Sequence, residues 1–150
     1  MLIAEIGSTS YDVVLFLHIV AIVIALAPLV VDPIIAMQWA DDKASLQKFA
    51  GTMAQNNLKI HGNALIVAGL LGFALSGMSD DVIEMSQTWM ILAIIAWIAM
   101  IGVLHGVLIP AGKAFAAGDD AAQKKLATIG PVLPLLTLLQ VYLMVFKPGL

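Results

Sequence analysis

Apolar residues run almost unbroken through four stretches of the chain, near Tyr11–Met37, Leu58–Gly77, Trp89–Pro110 and Thr128–Phe146, and polar residues collect between them. A helix needs about 20 such residues to cross the hydrocarbon of a bilayer, and each stretch is of that order. Only helices and closed barrels satisfy their backbone inside lipid, and runs this long read as helices. The pattern predicts an all-α protein, a bundle of four transmembrane helices forming a single integral membrane domain over residues 1–150.

The polar stretch after the first span, "QWADDKASLQKFAGTMAQNNLK", has a pattern of its own. Leu46, Phe49, Ala50 and Met53 recur at helical spacing between Lys43, Gln47 and Lys48. Two readings follow: a short amphipathic helix lying on the inner leaflet between helices one and two, or turns of helix that extend the second span. Asp41 or Asp42 is placed to cap it.

Within the spans, small and polar residues mark the faces that turn inward, because helices in lipid associate through close packing and buried polar groups. His18, Ala21, Ala25 and Asp32 share a stripe on the first span, beside Pro28. His61, Ala64, Ala68, Gly69 and Gly72 do so on the second, and His105 stands over Gly102 and Ala99 on the third. Thr137 and Gln140 share a face of the fourth. Gly69 and Gly72 are therefore expected to face another helix.

Charge adds an orientation. The first polar loop carries Lys43, Lys48 and Lys59, and the third carries Lys113, Lys124 and Lys125. The second carries Asp80, Asp81 and Glu84 without a lysine, and the N-terminal segment has Glu5 and Asp12. Lysine marks the cytoplasmic side, so loops one and three are expected inside the cytoplasmic (inner) membrane and both termini outside, with Lys147 alone dissenting. Trp39 then falls at the inner interface, and Tyr11, Trp89 and Tyr142 near the outer one. The opening "MLIAEIGSTS" lacks the basic region of a signal peptide, so the first helix is expected to be retained.

Composition narrows the chemistry. Charged residues make up 11% of the chain, against roughly 25% in soluble domains. There is no cysteine, which excludes disulfides, thiolate metal ligands and a cysteine nucleophile. All 7 basic residues are lysine, so no arginine clamp for phosphate exists. No basic patch invites nucleic acid. The partners expected are the lipid bilayer and a membrane-protein partner or further copies of the chain.

The three histidines carry the remaining signal. His61 and His105 are each followed by glycine, at Gly62 and Gly106. Counted from the helix ends, both lie roughly 5–8 Å below the inner surface, on consecutive helices. Asp32, about 21 Å below His18 along the first helix, reaches the same level, and Asn63 joins this inner cluster. Four readings stay open. His61 and His105 are candidate axial ligands of a haem b, with Gly62 and Gly106 making room for the flat group. Asp32, His61 and His105 are candidate ligands of a zinc or similar ion. Asp32 is a candidate element of a proton or ion path. Ordinary interhelical hydrogen bonding accounts for the same residues. His18, isolated in the outer leaflet, reads as an interhelical bond. The leading functional expectation is a haem-b redox or electron-transfer protein, as a subunit of a larger membrane complex. The alternatives are a non-enzymatic accessory or scaffold subunit and a small permease component.

The stretch "YDVVLFLHIVAIVIALAPLVVDPIIA" resembles the first helix of the DUF2269 family of small bacterial integral membrane proteins. The early His18, Ala27-Pro28, Pro33 and the "LSG" closing the second span carry the likeness, which implies a four-span membrane protein. More distantly, the plan resembles CopD-like and HemJ-like membrane proteins. The HemJ-like proteins are haem-linked oxidoreductases with an early histidine, which would implicate His18 in cofactor binding, although this chain lacks that pattern's arginines.

Overall fold

A computed structural model describes residues 6–80 and 82–149. Glu5 and Asp81, two of the acidic residues behind the orientation, lie outside them, as does the first half of the "MLIAEIGSTS" segment. Among the described residues the fold is all-helical. Four helices are long and apolar enough to span a membrane: α1 (Thr9–Gln38), α2 (Lys43–Gly77), α3 (Thr88–Ala116) and α4 (Asp120–Phe146). Their 30, 35, 29 and 27 residues correspond to about 40–53 Å of helix at 1.5 Å per residue. That is longer than the roughly 30 Å needed to cross the hydrocarbon core of a bilayer.

At the lysine-rich end the helices pack closely. The amphipathic segment Lys43–Asn56 is continuous with the second span and does not form a separate interfacial helix. Its apolar side packs on the end of α3, Ile109–Ala116, and the opening turns of α4 pack there too. Gly51 and Gly112 permit this approach: a Cβ on Gly51 would stand 3.0 Å from Ala116, and one on Gly112 3.0 Å from Ala54. Asp42, rather than Asp41, caps α2 by accepting from the Ser45 amide at 3.1 Å. Ser8 and Asp119 cap α1 and α4 in the same way. Lys43 and Asp120 pair at 2.7 Å across the helix ends; both are exposed, so the pair adds well under ~1 kcal/mol.

In the remaining length, α1 packs along the Gly62–Gly77 part of α2, and α3 packs along the Val132–Phe146 part of α4, while α1 and α4 meet only sparsely. Alanines such as Ala21, Ala25, Ala68, Ala93 and Ala96 are buried alongside larger residues such as Leu65, Trp89 and Phe115, while Phe16, Val23, Ile95, Leu138 and Phe146 face outward. Small residues at contacts and large apolar ones outside suit a bundle that packs in lipid.

Gly69 and Gly72 face other helices, as expected. The Trp97 ring of α3 covers Gly69, and His18 of α1 lies 3.4 Å from where a Gly72 Cβ would stand. The α3 face differs from expectation. Ala93, Ala96, Met100 and Leu104 are buried there, whereas Gly102 meets open space. Trp89 also departs from the interfacial role: it sits at the expected end but inside the bundle, 1% exposed, against Leu143. Its indole donates to Gln87 at 2.9 Å and Lys147 lies over its ring at 5.6 Å. The loop beneath is closed by Ser79, whose hydroxyl accepts from the Ile83 amide at 2.9 Å and donates to the Ser76 carbonyl at 2.7 Å.

Candidate functional site

Helical continuity fails in the same way at two places, and these are the His-Gly sites. Asn57–His61 in α2 and Leu104–Leu108 in α3 are single π-helical turns. In each, an amide reaches back five residues: Gly62 N–H to the Asn57 carbonyl, and Ile109 N–H to the Leu104 carbonyl. The second has a visible cause. Pro110 follows it, with no N–H to return to Gly106 and a ring that crowds that turn, and widening the turn relieves the conflict.

His61 has a definite task. Its Nδ1 lies 2.7 Å from the carbonyl of Ile24 on α1. A carbonyl only accepts, so Nδ1 carries the proton and donates. Ile24 stands four residues before Pro28, which sits inside α1 and has no amide to offer it. In a bilayer no water would replace the missing donor. His61 supplies it across the helix interface. His18 makes the parallel contact in the other half, its Nδ1 donating to Ala68 of α2 at 2.7 Å.

His105 packs instead of bonding. Its Nε2 would stand 2.6 Å from a Cβ at Gly62 and its Cε1 2.9 Å. The imidazole edge therefore lies directly on Gly62, next to His61. Gly62 makes the room, whereas a Cβ at Gly106 would meet nothing within 4 Å. His105 thus meets α2 one residue beyond His61, whose own ring is turned to Ile24 of α1. An iron on Nε2 would need the space that the Gly62 backbone fills, so this arrangement does not fit a bis-histidine haem. Among the described residues, no group of three or more His, Asp or Glu is placed to hold a metal ion, and Asp32, His61 and His105 form none. Asn63 turns away, donating to the Lys59 carbonyl of its own helix at 2.9 Å.

What the π turns border is a cavity of about 620 Å³, open-sided and walled by all four helices in the lysine-rich half. Asn57 and Leu104, the first residues of the two turns, and Leu108 line it. Asp32, Ala36, Phe49 and Leu126 contribute from α1, α2 and α4. No histidine lines it, and Asp32 is its one ionisable lining residue. Its other polar side chains are Asn57 and Gln123. The Asp32 carboxylate has no ion-pair partner among the described residues. Pro33, next to it in the lining, has no amide to donate to the Leu29 carbonyl in helical register.

A second cavity of about 150 Å³ lies in the opposite half, lined by His18, Trp97, Thr137 and Gln140 among others. The face shared by Thr137 and Gln140 is thus turned inward, toward His18. The Gln140 Oε1 is buried without a hydrogen-bond partner, as is His105 Nε2. Leu65, Met100, Leu104 and Leu133 pack into one apolar cluster between the two cavities.

Sequence reasoning grouped Asp32 with His61 and His105; His61 does stand near enough to act on the Asp32 charge, but the three form no metal-holding group, and Asp32 lines a cavity that neither histidine lines. It missed Asn57, Phe49 and Leu126 as neighbours in one cavity. The available signal was the recurrence of Leu46, Phe49, Ala50 and Met53, an apolar face on a segment that continues the second span and needs a covered surface. In comparisons with known proteins, no family model, no curated protein and no solved structure matches the chain.

Proposed function

We propose that the chain is a small polytopic protein of the cytoplasmic membrane, lysine-rich end inside and both termini outside, that binds a small apolar ligand in its inner-half cavity. The observation that carries this reading is the cavity itself: about 620 Å³, walled by four helices and mainly apolar. Ligand sites have this size and character, with a few polar groups that fix orientation. The histidines hold the wall in shape. His61 ties α2 to α1, and His105 seats α3 on α2 at Gly62.

A fluorescence titration tests the reading. Nile red, an uncharged apolar dye, is added to the purified protein in mild detergent. Saturable binding of about one dye per chain is expected. Ala36→Phe puts a ring into the cavity and abolishes it. Ile98→Phe, on an exposed apolar face, leaves it unchanged. Equal binding to the wild type and Ala36→Phe would remove the cavity as the site.

A further inference from the structure

We infer that the ligand of this cavity is a lipophilic ammonium cation, an apolar body carrying one protonated amine that pairs with Asp32. The inference rests on the cavity reading above and adds the chemical class. Three observations carry it.

The first is charge. A carboxylate at a helix level otherwise made of Pro28, Leu29 and Pro33 is costly to keep, and such groups in membrane helices pair or serve a ligand. Asp32 has no ion-pair partner among the described residues, and no lysine lines its cavity. The lysines of this end, Lys43, Lys48, Lys59, Lys113, Lys124 and Lys125, stand with Asp41, Asp42, Asp119 and Asp120 outside the wall. His61 stands near enough to act on the Asp32 charge, but it is bonded to the Ile24 carbonyl and lies outside the lining, so Asp32 is the one charged group that the lining itself offers a ligand.

The second is donor demand. Asp32 only accepts hydrogen bonds, and Pro33 leaves the neighbouring Leu29 carbonyl without its helical donor. A primary ammonium brings three N–H donors. A quaternary cation or an anion brings none that fit.

The third is the body of the site. Phe49 and Phe115, with Leu46, Leu104 and Leu126, give an apolar lining for a ring or short chain. Phe49 is held edge-on by Trp39 at 5.4 Å, which fixes an aromatic face in the wall near the lysine-rich end. Aromatic faces also attract cations.

The test uses a matched pair of probes on the full chain in mild detergent. Dansylcadaverine is an apolar fluorophore with one primary ammonium; its N-acetylated form has the same body and no charge. A charge-assisted contact of this kind corresponds to about tenfold in affinity or more. The wild type is expected to bind dansylcadaverine at least about tenfold tighter than the acetylated form. Asp32→Asn should bind the two alike, and Ala36→Phe should bind neither. The wild-type comparison needs no variant, so it decides even where Asp32→Asn fails to fold. Equal wild-type affinity for both probes, with loss of both in Ala36→Phe, overturns the ammonium class and leaves the cavity reading standing. Absence of saturable binding for either probe overturns both.

Discussion

The contact between His61 and the Ile24 carbonyl makes a quantitative demand. Pro28 cannot donate to Ile24, and His61 Nδ1 does so at 2.7 Å. Removing the ring in His61→Ala strands a carbonyl that a bilayer would not hydrate, at a cost of about 1–3 kcal/mol. The helix can repair this itself if residue 28 regains an amide. Pro28→Ala supplies that amide four residues after Ile24, in α-helical register. In the Pro28→Ala background, His61→Ala should therefore cost only about 0.5 kcal/mol of lost packing. Pro28 is buried, so its replacement also loses contacts. That loss is common to both arms of the cycle and cancels. The expected coupling is at least about 1 kcal/mol, within the range of residues that share a partner. Reversible unfolding of the four proteins in mixed micelles measures it. If the two substitutions add to within about 0.3–0.5 kcal/mol, the usual additivity of independent sites, the proline does not set the histidine's task and the reasoning fails.

Three further outcomes follow from the same geometry. Gly62→Ala places a methyl 2.6 Å from His105 Nε2 and 2.7 Å from the Asn57 carbonyl. It should cost about 2 kcal/mol of overpacking. His105→Ala should relieve part of this, the share owed to the ring, in thermal unfolding of the double variant; no relief would show the ring packed elsewhere. Hydrogen bonds from the Ser45 hydroxyl at 2.6 Å and the Ser45 amide at 3.1 Å hold the Asp42 carboxyl below the usual carboxylate range. Its cap therefore stabilises α2 fully above the unfolded-state pKa and weakens as pH falls through the lowered folded-state pKa. Ser45→Ala should raise that midpoint in a carbon-13 NMR titration of the carboxyl, and an unmoved midpoint would refute the hydroxyl's part. A periplasmic-format reporter fused after Leu150 should be active and a cytoplasmic-format one silent; the opposite pattern would invert the lysine-based orientation.

The sequence alone determined the elements that local periodicity controls. Four apolar runs specify four helices, because each run is long enough to need lipid or a neighbour along its whole length. Small residues at helical spacing determined the buried faces of α1 and α2, where Ala21, Ala25 and Ala68 are buried and Gly69 and Gly72 meet other helices. The existence of a cap before Lys43 was legible too, since a short acidic side chain there accepts free amides.

The tertiary structure decided every pairing between helices. Each residue along a helix advances about 1.5 Å and turns by about 100°. A small change of offset or rotation between neighbours therefore exchanges one partner for another. That is why counting depth brought His61 and His105 to one level but did not reveal that His61 serves the carbonyl bared by Pro28, or that His105 rests on Gly62 rather than using Gly106. The two π turns were equally hidden, because they add a residue to a turn without breaking the apolar pattern. The inner cavity is the furthest from the sequence of all. It is the space left when Asp32, Phe49, Leu104 and Leu126, drawn from four helices, face one another, and no single helix carries its outline.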